Sequence, residues 1–81
     1  MTNFTLTPEW IEVVPGDSEY LLQSLDGAGI TIVNSAGQPT TSAGFYIDRD
    51  ATVSSVVYPA VDGIWARSND ARALVAVDTW V

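Results

Sequence analysis

Carboxylates are the side chains best placed to do chemistry in this sequence, which contains no His, Cys or Lys. In Asp48-Arg49-Asp50 two carboxylates share one face of an extended segment, where both could contact a cation. Calcium needs six to eight oxygen ligands, more than this short run supplies. A glycosidase needs two carboxylates across a cleft, and 81 residues leave little material for one. We interpret the run as a charged turn and predict no metal site.

The absence of His, Cys and Lys excludes several classes of enzymatic reaction. A Ser-His-Asp or Cys-His nucleophile requires His, and a Schiff base on a side chain requires Lys. Zinc sites of the usual kind require His or Cys. The sequence therefore predicts a protein that is not an enzyme and uses no cofactor.

The negative net charge of the chain disfavours some classes of binding partner. The net charge is −7, which repels phosphate groups and anionic membrane surfaces. No apolar stretch approaches the roughly 20 residues of a membrane span, and the N-terminus lacks the basic and apolar regions of an export signal. We predict binding neither to nucleic acid nor to a membrane.

Three tryptophans and two arginines are candidates for recognition. Exposed faces of Trp10, Trp65 and Trp80 could stack on sugar rings, as in carbohydrate-binding modules. All three have apolar neighbours, so packing in the core or between subunits is the favoured interpretation. Arg67 and Arg72 flank a predicted turn, and we favour pairing with local acids over contact with a partner's carboxylates.

The elements that must position these residues are strands. Val, Ile and Thr make up 23 of the 81 residues, and Gly, Pro, Asn and Asp mark turns at short intervals. The pattern predicts an all-β fold: one domain over residues 1–81, a small antiparallel β-sandwich or barrel of seven to eight short strands. Residues 34–43 are predicted to be a long loop that crosses between sheets, and residues 1–8 a flexible N-terminal arm. The predicted strands are 9–14, 19–25, 30–33, 44–47, 52–58, 64–68 and 72–81, with a short extra strand at 4–7.

The last predicted strand, residues 72–81, is largely apolar on both faces. A strand with one solvated face should alternate apolar and polar residues, so two-sided burial is expected. The second face is predicted to meet another chain or a carrier surface. One face would carry Ala73, Val75, Val77 and Val81, and the other Leu74, Ala76, Asp78 and Trp80. The residues predicted to pack in the core or between subunits are Trp65, Val75, Val77 and Trp80.

Several segments together resemble the small β-sandwich proteins of tailed bacteriophage virions, including capsid decoration (cement) proteins. The resemblance covers most of the chain, from about Trp10 to Val81, and no catalytic residue is transferred by it. It is carried by residues 20–25, 37–40 and 44–47, by Gly63-Ile64-Trp65-Ala66-Arg67-Ser68, and by Leu74-Val75-Ala76-Val77-Asp78.

The resemblance implies a structural role on the outer capsid surface, with assembly in the host cytoplasm. The implied partners are a major capsid protein and copies of the chain itself, as a homotrimer. Two alternatives stay open: a tail, neck or fibre component, and a carbohydrate-binding module on the virion. The N-terminal residues expected to order on the carrier are Thr2, Asn3, Phe4, Thr5, Leu6 and Thr7.

Overall fold

The structure, a computed structural model, describes residues 2–26, 28–41, 43–48, 52–54, 56 and 59–80. Within these ranges the chain forms eight strands in two antiparallel sheets of four strands each, and no helix. The predicted all-β sandwich is confirmed. The strands are β1 (Thr2–Leu6), β2 (Ile11–Pro15), β3 (Glu19–Ser24), β4 (Ile30–Asn34), β5 (Phe45–Ile47), β6 (Thr52–Ser54), β7 (Gly63–Ser68) and β8 (Ala73–Trp80).

The strand pairing is nested. β1 pairs with β8, β2 with β7, β3 with β6 and β4 with β5, so the chain behaves as one long hairpin. Two further pairings, β3 with β8 and β4 with β7, fold that hairpin into two sheets. The resulting orders, β1-β8-β3-β6 and β2-β7-β4-β5, are those of a jelly roll.

The core lies between the sheets and follows from period-two alternation along the strands. In β3, Tyr20 and Leu22 are fully buried, while Leu21 and Gln23 on the opposite face are exposed. Burial of such a side chain contributes about 1.5–3 kcal/mol. The core comprises Leu6, Val13, Val14, Tyr20, Leu22, Ile30, Ile32, Val53, Ala60, Ile64, Ala66, Ala73, Val75 and Val77.

The N-terminal segment differs from the flexible arm that the sequence suggested. Thr2–Leu6 forms β1 and pairs with β8, from Thr2 opposite Val77 to Leu6 opposite Ala73. Leu6 is fully buried, and Phe4 packs against the core. Because the apolar residues of β1 alternate with polar ones, the strand covers one edge of the core. The prediction of an arm is therefore wrong for residues 2–6.

Strand β2 contains a bulge, and a glycine with an unusual backbone conformation lies opposite its end. The register with β7 shifts between Glu12 and Val14, and both Val13 and Val14 are buried as a result. Opposite the end of β2, Gly63 has a φ of +128°, where side chains are strained. A Cβ there would lie 2.7 Å from the flexible end of the Glu12 side chain, which could move aside, so the backbone conformation is the main reason that glycine is favoured.

Two segment boundaries also differ from expectation. Residues 34–43 do not carry the chain from one sheet to the other, because β4 and β5 belong to the same sheet. β6 spans only Thr52–Ser54 of the predicted strand 52–58, and Val57 and Tyr58 lie outside the described residues.

Candidate interaction surface

The outer face of the β1-β8-β3-β6 sheet carries a group of apolar side chains that we call the apolar face. Trp80, Leu21 and Leu25 are 47%, 44% and 41% exposed, whereas Leu74 and Ala76 are half-buried. β8 and β3 are adjacent, and the Leu25 amide donates to the Leu74 carbonyl at 2.9 Å. The apolar face consists of Leu21, Leu25, Leu74, Ala76 and Trp80, and two polar outward side chains lie among them, Gln23 opposite Ala76 and Asp78 opposite Leu21.

Strand alternation places these residues outside. Val75 and Val77 point into the core and are 0% and 2% exposed, so Leu74 and Ala76 between them face outward. Val75 and Val77, which were expected to pack in the core or between subunits, lie in the core. Trp80 instead lies on the apolar face, which is the surface on which a subunit or carrier contact was predicted.

Charged groups lie at both ends of the apolar face and also within it. At one end the Trp80 indole Nε1 donates to Oε2 of Glu19 at 2.5 Å. Asp78 lies opposite Leu21, between Ala76 and Trp80 along β8, and Arg72 precedes β8 at the other end. The face therefore combines apolar and charged side chains.

Asp26 belongs to the Arg72 end. Its carboxylate accepts hydrogen bonds from the backbone amides of Leu74, at 3.0 Å, and Ala28, at 3.2 Å. These bonds, the Leu74 bond first, hold the pKa of Asp26 below its ordinary value of 3.8, and the charge of Arg72 adds a smaller effect. Asp26 is thus held as a carboxylate while it ties the turn after β3 to β8.

The other tryptophans lie on the outer face of the second sheet, under a loop. We call residues 35–41 the crossing loop. Trp10 Nε1 donates to the Thr41 carbonyl at 2.8 Å, and Trp65 Nε1 donates to the Ser35 carbonyl at 3.0 Å. Gln38 Nε2 donates to the Trp10 carbonyl at 3.1 Å. Because Trp10 precedes β2 at the edge far from β5, the loop crosses the whole sheet.

The crossing loop limits access to two of the three tryptophans that were candidates for sugar stacking. Trp10 is 8% exposed and Trp65 is half-buried. Arg67 lies over the Trp10 ring, and its Nε is buried without a hydrogen-bond partner. Trp10 therefore offers little open surface to a sugar ring, whereas Trp80 is 47% exposed. Trp65 packs beneath its own loop, where the sequence allowed either the core or a subunit contact.

The most exposed aromatic residues are on the edge strand β5. Phe45 and Tyr46 are 59% and 62% exposed. The Tyr46 ring covers Gly29, where an added Cβ would lie 2.5 Å from the phenol oxygen. Sequence reasoning did not single out this pair, because nothing local distinguishes an edge strand from a central one.

An open pocket of about 340 Å³ lies near the Glu19 end of the apolar face. Its described lining offers carboxylates and no nucleophile–base pair. Asp48 is exposed, while Arg49 and Asp50 of the suggested cation run lie outside the described residues. Over the described ranges, no three His, Cys, Asp or Glu side chains are grouped so that they could hold a metal ion. The pocket is lined by Asp17, Ser18, Glu19, Val56, Pro59, Ala60 and Val61.

The residues expected to contact a carrier divide between the two faces of β1. Leu6 is buried in the core and Phe4 packs against it, so the structure does not present them to a partner. Asn3 and Thr5 are exposed and lie opposite Ala76 and Leu74 in the register. Asn3 and Thr5 therefore extend the apolar face by one strand. Thr2 and Thr7 are also exposed.

The part of the chain that the structure describes contains no helix long and apolar enough to cross a membrane. No protein-family model, curated protein or solved structure matches the chain.

Proposed function

We propose that the protein is a non-catalytic structural component of a bacteriophage virion, and specifically a capsid decoration protein that binds the outer shell and stabilises it. The observation that carries the proposal is the apolar face. Side chains of Leu and Trp on the solvent side of a sheet mark a protein interaction surface when they are contiguous.

Charge and topology support the same function. A net charge of −7 is unfavourable beside packaged DNA and is compatible with the outside of a shell. The jelly-roll strand order is used by viral capsid domains, although it also serves lectins, so it supports the proposal only by analogy.

The mechanism is thermodynamic linkage. A protein that binds the assembled shell and not its dissociated subunits stabilises the shell by about 2.7 kcal/mol per site at a free concentration of 100 times Kd. Repetition over many equivalent sites multiplies a modest contact. The proposed partners are a major capsid protein and further copies of the chain, with the trimer implied by the resemblance.

Purified particles provide the test. Electron microscopy should show the protein at regular positions over the whole outer shell. Particles assembled without it should lose their shell at a lower temperature in calorimetry, and adding the purified protein should restore the transition. Copies found at one vertex only would assign the protein to the tail or neck and refute the capsid proposal.

A carbohydrate-binding module on the virion is the less favoured alternative. The crossing loop binds the indole groups of Trp10 and Trp65, two of the three tryptophans on which this hypothesis depends. Glycan binding by the purified protein that survives Trp10→Ala and Trp65→Ala would require a different aromatic site, such as Trp80 or the pair Phe45 and Tyr46.

A further inference from the structure

We infer that the apolar face docks a protein surface that combines apolar side chains with Lys and Arg, and not a second copy of this chain, so that the proposed contacts between copies would use another surface. The inference rests on the proposed function in one respect, because it names the partner chemistry of the same surface. It is carried by the sign of the charges around Leu21, Leu74 and Trp80.

The apolar side chains supply contacts along the length of the face. Leu74 and Leu25 lie at the Arg72 end, Leu21 and Trp80 lie toward the Glu19 end, and the half-buried Ala76 lies between these two groups. The Nε1 bond to Glu19 restrains the Trp80 indole, so less side-chain entropy is lost when a partner covers it. Buried aromatic anchors of this kind carry much of the affinity of protein interfaces.

The charged groups supply the selectivity. Among the described residues, the face and its ends carry the carboxylates of Glu19, Asp78 and Asp26 and one guanidinium, that of Arg72. Basic side chains on the partner would attract these carboxylates and speed the encounter, since complementary charges steer association. The chain as a whole has a net charge of −7, so the long-range field has the same sign as these groups.

A second copy fits this surface less well. Two apolar faces brought together would oppose groups with an excess of carboxylate, and among the described residues of the face and its ends only Arg72 on each copy could offset the repulsion. Like charges that face each other across an interface are a means of rejecting wrong partners. The same sign of charge opposes nucleic acid and anionic lipid.

The size of the molecule is adequate for a specific complex. Its two longest dimensions, 31 and 26 Å, limit a flat face to about 800 Å². One partner of a standard-size interface buries about that area. Docking would therefore use most of the sheet, including Asn3 and Thr5 at its β1 side.

The test uses the full chain labelled with ¹⁵N and a short synthetic peptide with a Leu-Leu-Trp centre flanked by Lys. Titration should shift the amide signals of β3 and β8 and the indole signal of Trp80, and added salt should weaken binding. Two control peptides separate the contributions. Replacing Lys by Glu should abolish binding, and replacing the apolar centre by Ser should leave only weak, unlocalised shifts.

Matched variants assign the site. Leu21→Ser should weaken binding of the peptide about tenfold, whereas Phe45→Ser, which removes a still more exposed apolar side chain from the other sheet, should not. Glu19→Gln retains an oxygen that accepts the Trp80 indole bond but loses the charge, so it should weaken binding about two- to fivefold. Glu9→Gln, at an exposed acid away from the face, controls for net charge.

Three results would overturn the inference. They are shifts that map to the second sheet, equal binding of the Lys and Glu peptides, and self-association of the wild type that Leu21→Ser abolishes, which would make a second copy the occupant. Absence of the protein from virions would refute the proposed function while leaving the peptide result intact. The two failures are therefore distinguishable.

Discussion

The guanidinium carbon of Arg67 lies 5.9 Å from the centroid of the Trp10 ring. This cation–π contact joins β7 to the segment before β2 on the outer side of the sheet, and such contacts contribute about 0.5–2 kcal/mol depending on desolvation. The crossing loop closes over the pair by accepting the Trp10 indole bond at Thr41. The domain therefore has a second, smaller packing layer outside its main core.

Trp10→Phe should loosen that layer while keeping an aromatic ring under Arg67. The variant loses the indole donor to Thr41, and a hydrogen bond of this kind contributes about 0.5–1.5 kcal/mol. Urea denaturation should show this loss, and hydrogen exchange should become faster in residues 38–41. Trp80→Phe, which removes an exposed indole bond on the other sheet, should leave exchange in the crossing loop unchanged. Equal exchange in wild type and Trp10→Phe would contradict the role given to this bond.

Leu6→Ala should destabilise the protein by about 2–5 kcal/mol, because it opens a cavity in the core beside Ala73. Thr5→Ala, one position away and exposed on the outer face of β1, should change stability by less than about 0.5 kcal/mol. Both values are accessible from urea denaturation curves. If Leu6→Ala were as stable as the wild type, β1 would be an arm and not part of the sheet.

Gly63→Ala should cost about 1–3 kcal/mol, because Ala is strained at a φ of +128° and its Cβ would press on Glu12. Gly37→Ala is the matched control, since an added Cβ there meets nothing within 4 Å. That substitution should be neutral or stabilise by up to about 1 kcal/mol through the unfolded state. Thermal unfolding would compare the two, and equal effects would argue against the bulge geometry.

Asp26 should contribute to stability in a pH-dependent way. Its pKa is lowered in the folded protein, so the contribution is fully present above the unfolded value near 3.8 and is lost as the pH falls through the folded value. Asp26→Asn removes the negative charge from the group that accepts hydrogen bonds from the Leu74 and Ala28 backbone amides. Stability measured by urea denaturation should therefore fall less steeply below about pH 4 in this variant than in the wild type.

The control for Asp26 is Asp70→Asn, which removes one negative charge from an exposed position outside this hydrogen-bond network. It corrects for the general effect of net charge on acid stability. An Asp26→Asn variant with the acid slope of the wild type would show that the bonds to Leu74 and Ala28 are not maintained in solution.

Alternation made much of the fold predictable from sequence. Residues 19–25 were expected to place Tyr20 and Leu22 on one face and Leu21 on the other, and β3 buries the first two. β8 follows the same rule over eight residues. Such patterns are local, and each strand displays its own.

Long-range partners account for what the sequence did not reveal. β1 pairs with β8, although most of the chain separates the two strands in sequence. No pattern within residues 2–6 predicts that pairing. Trp65 and Trp80 both point outward from central strands, yet only Trp65 lies under a loop. The difference depends on where the chain goes after β4, which the spacing of residues cannot show.

Nested pairing also constrains how the protein is made. β8 lies between β1 and β3, and β7 lies between β2 and β4, so neither sheet can close until the last strands have been synthesised. During synthesis on the ribosome the first strands therefore remain unpaired, and their apolar residues stay accessible to chaperones. Because nearly every pairing joins distant segments, folding should take milliseconds to seconds, the range of proteins with high contact order. Loss of residues 73–77 would remove the part of β8 that joins β1 to β3 and buries Ala73, Val75 and Val77 in the core.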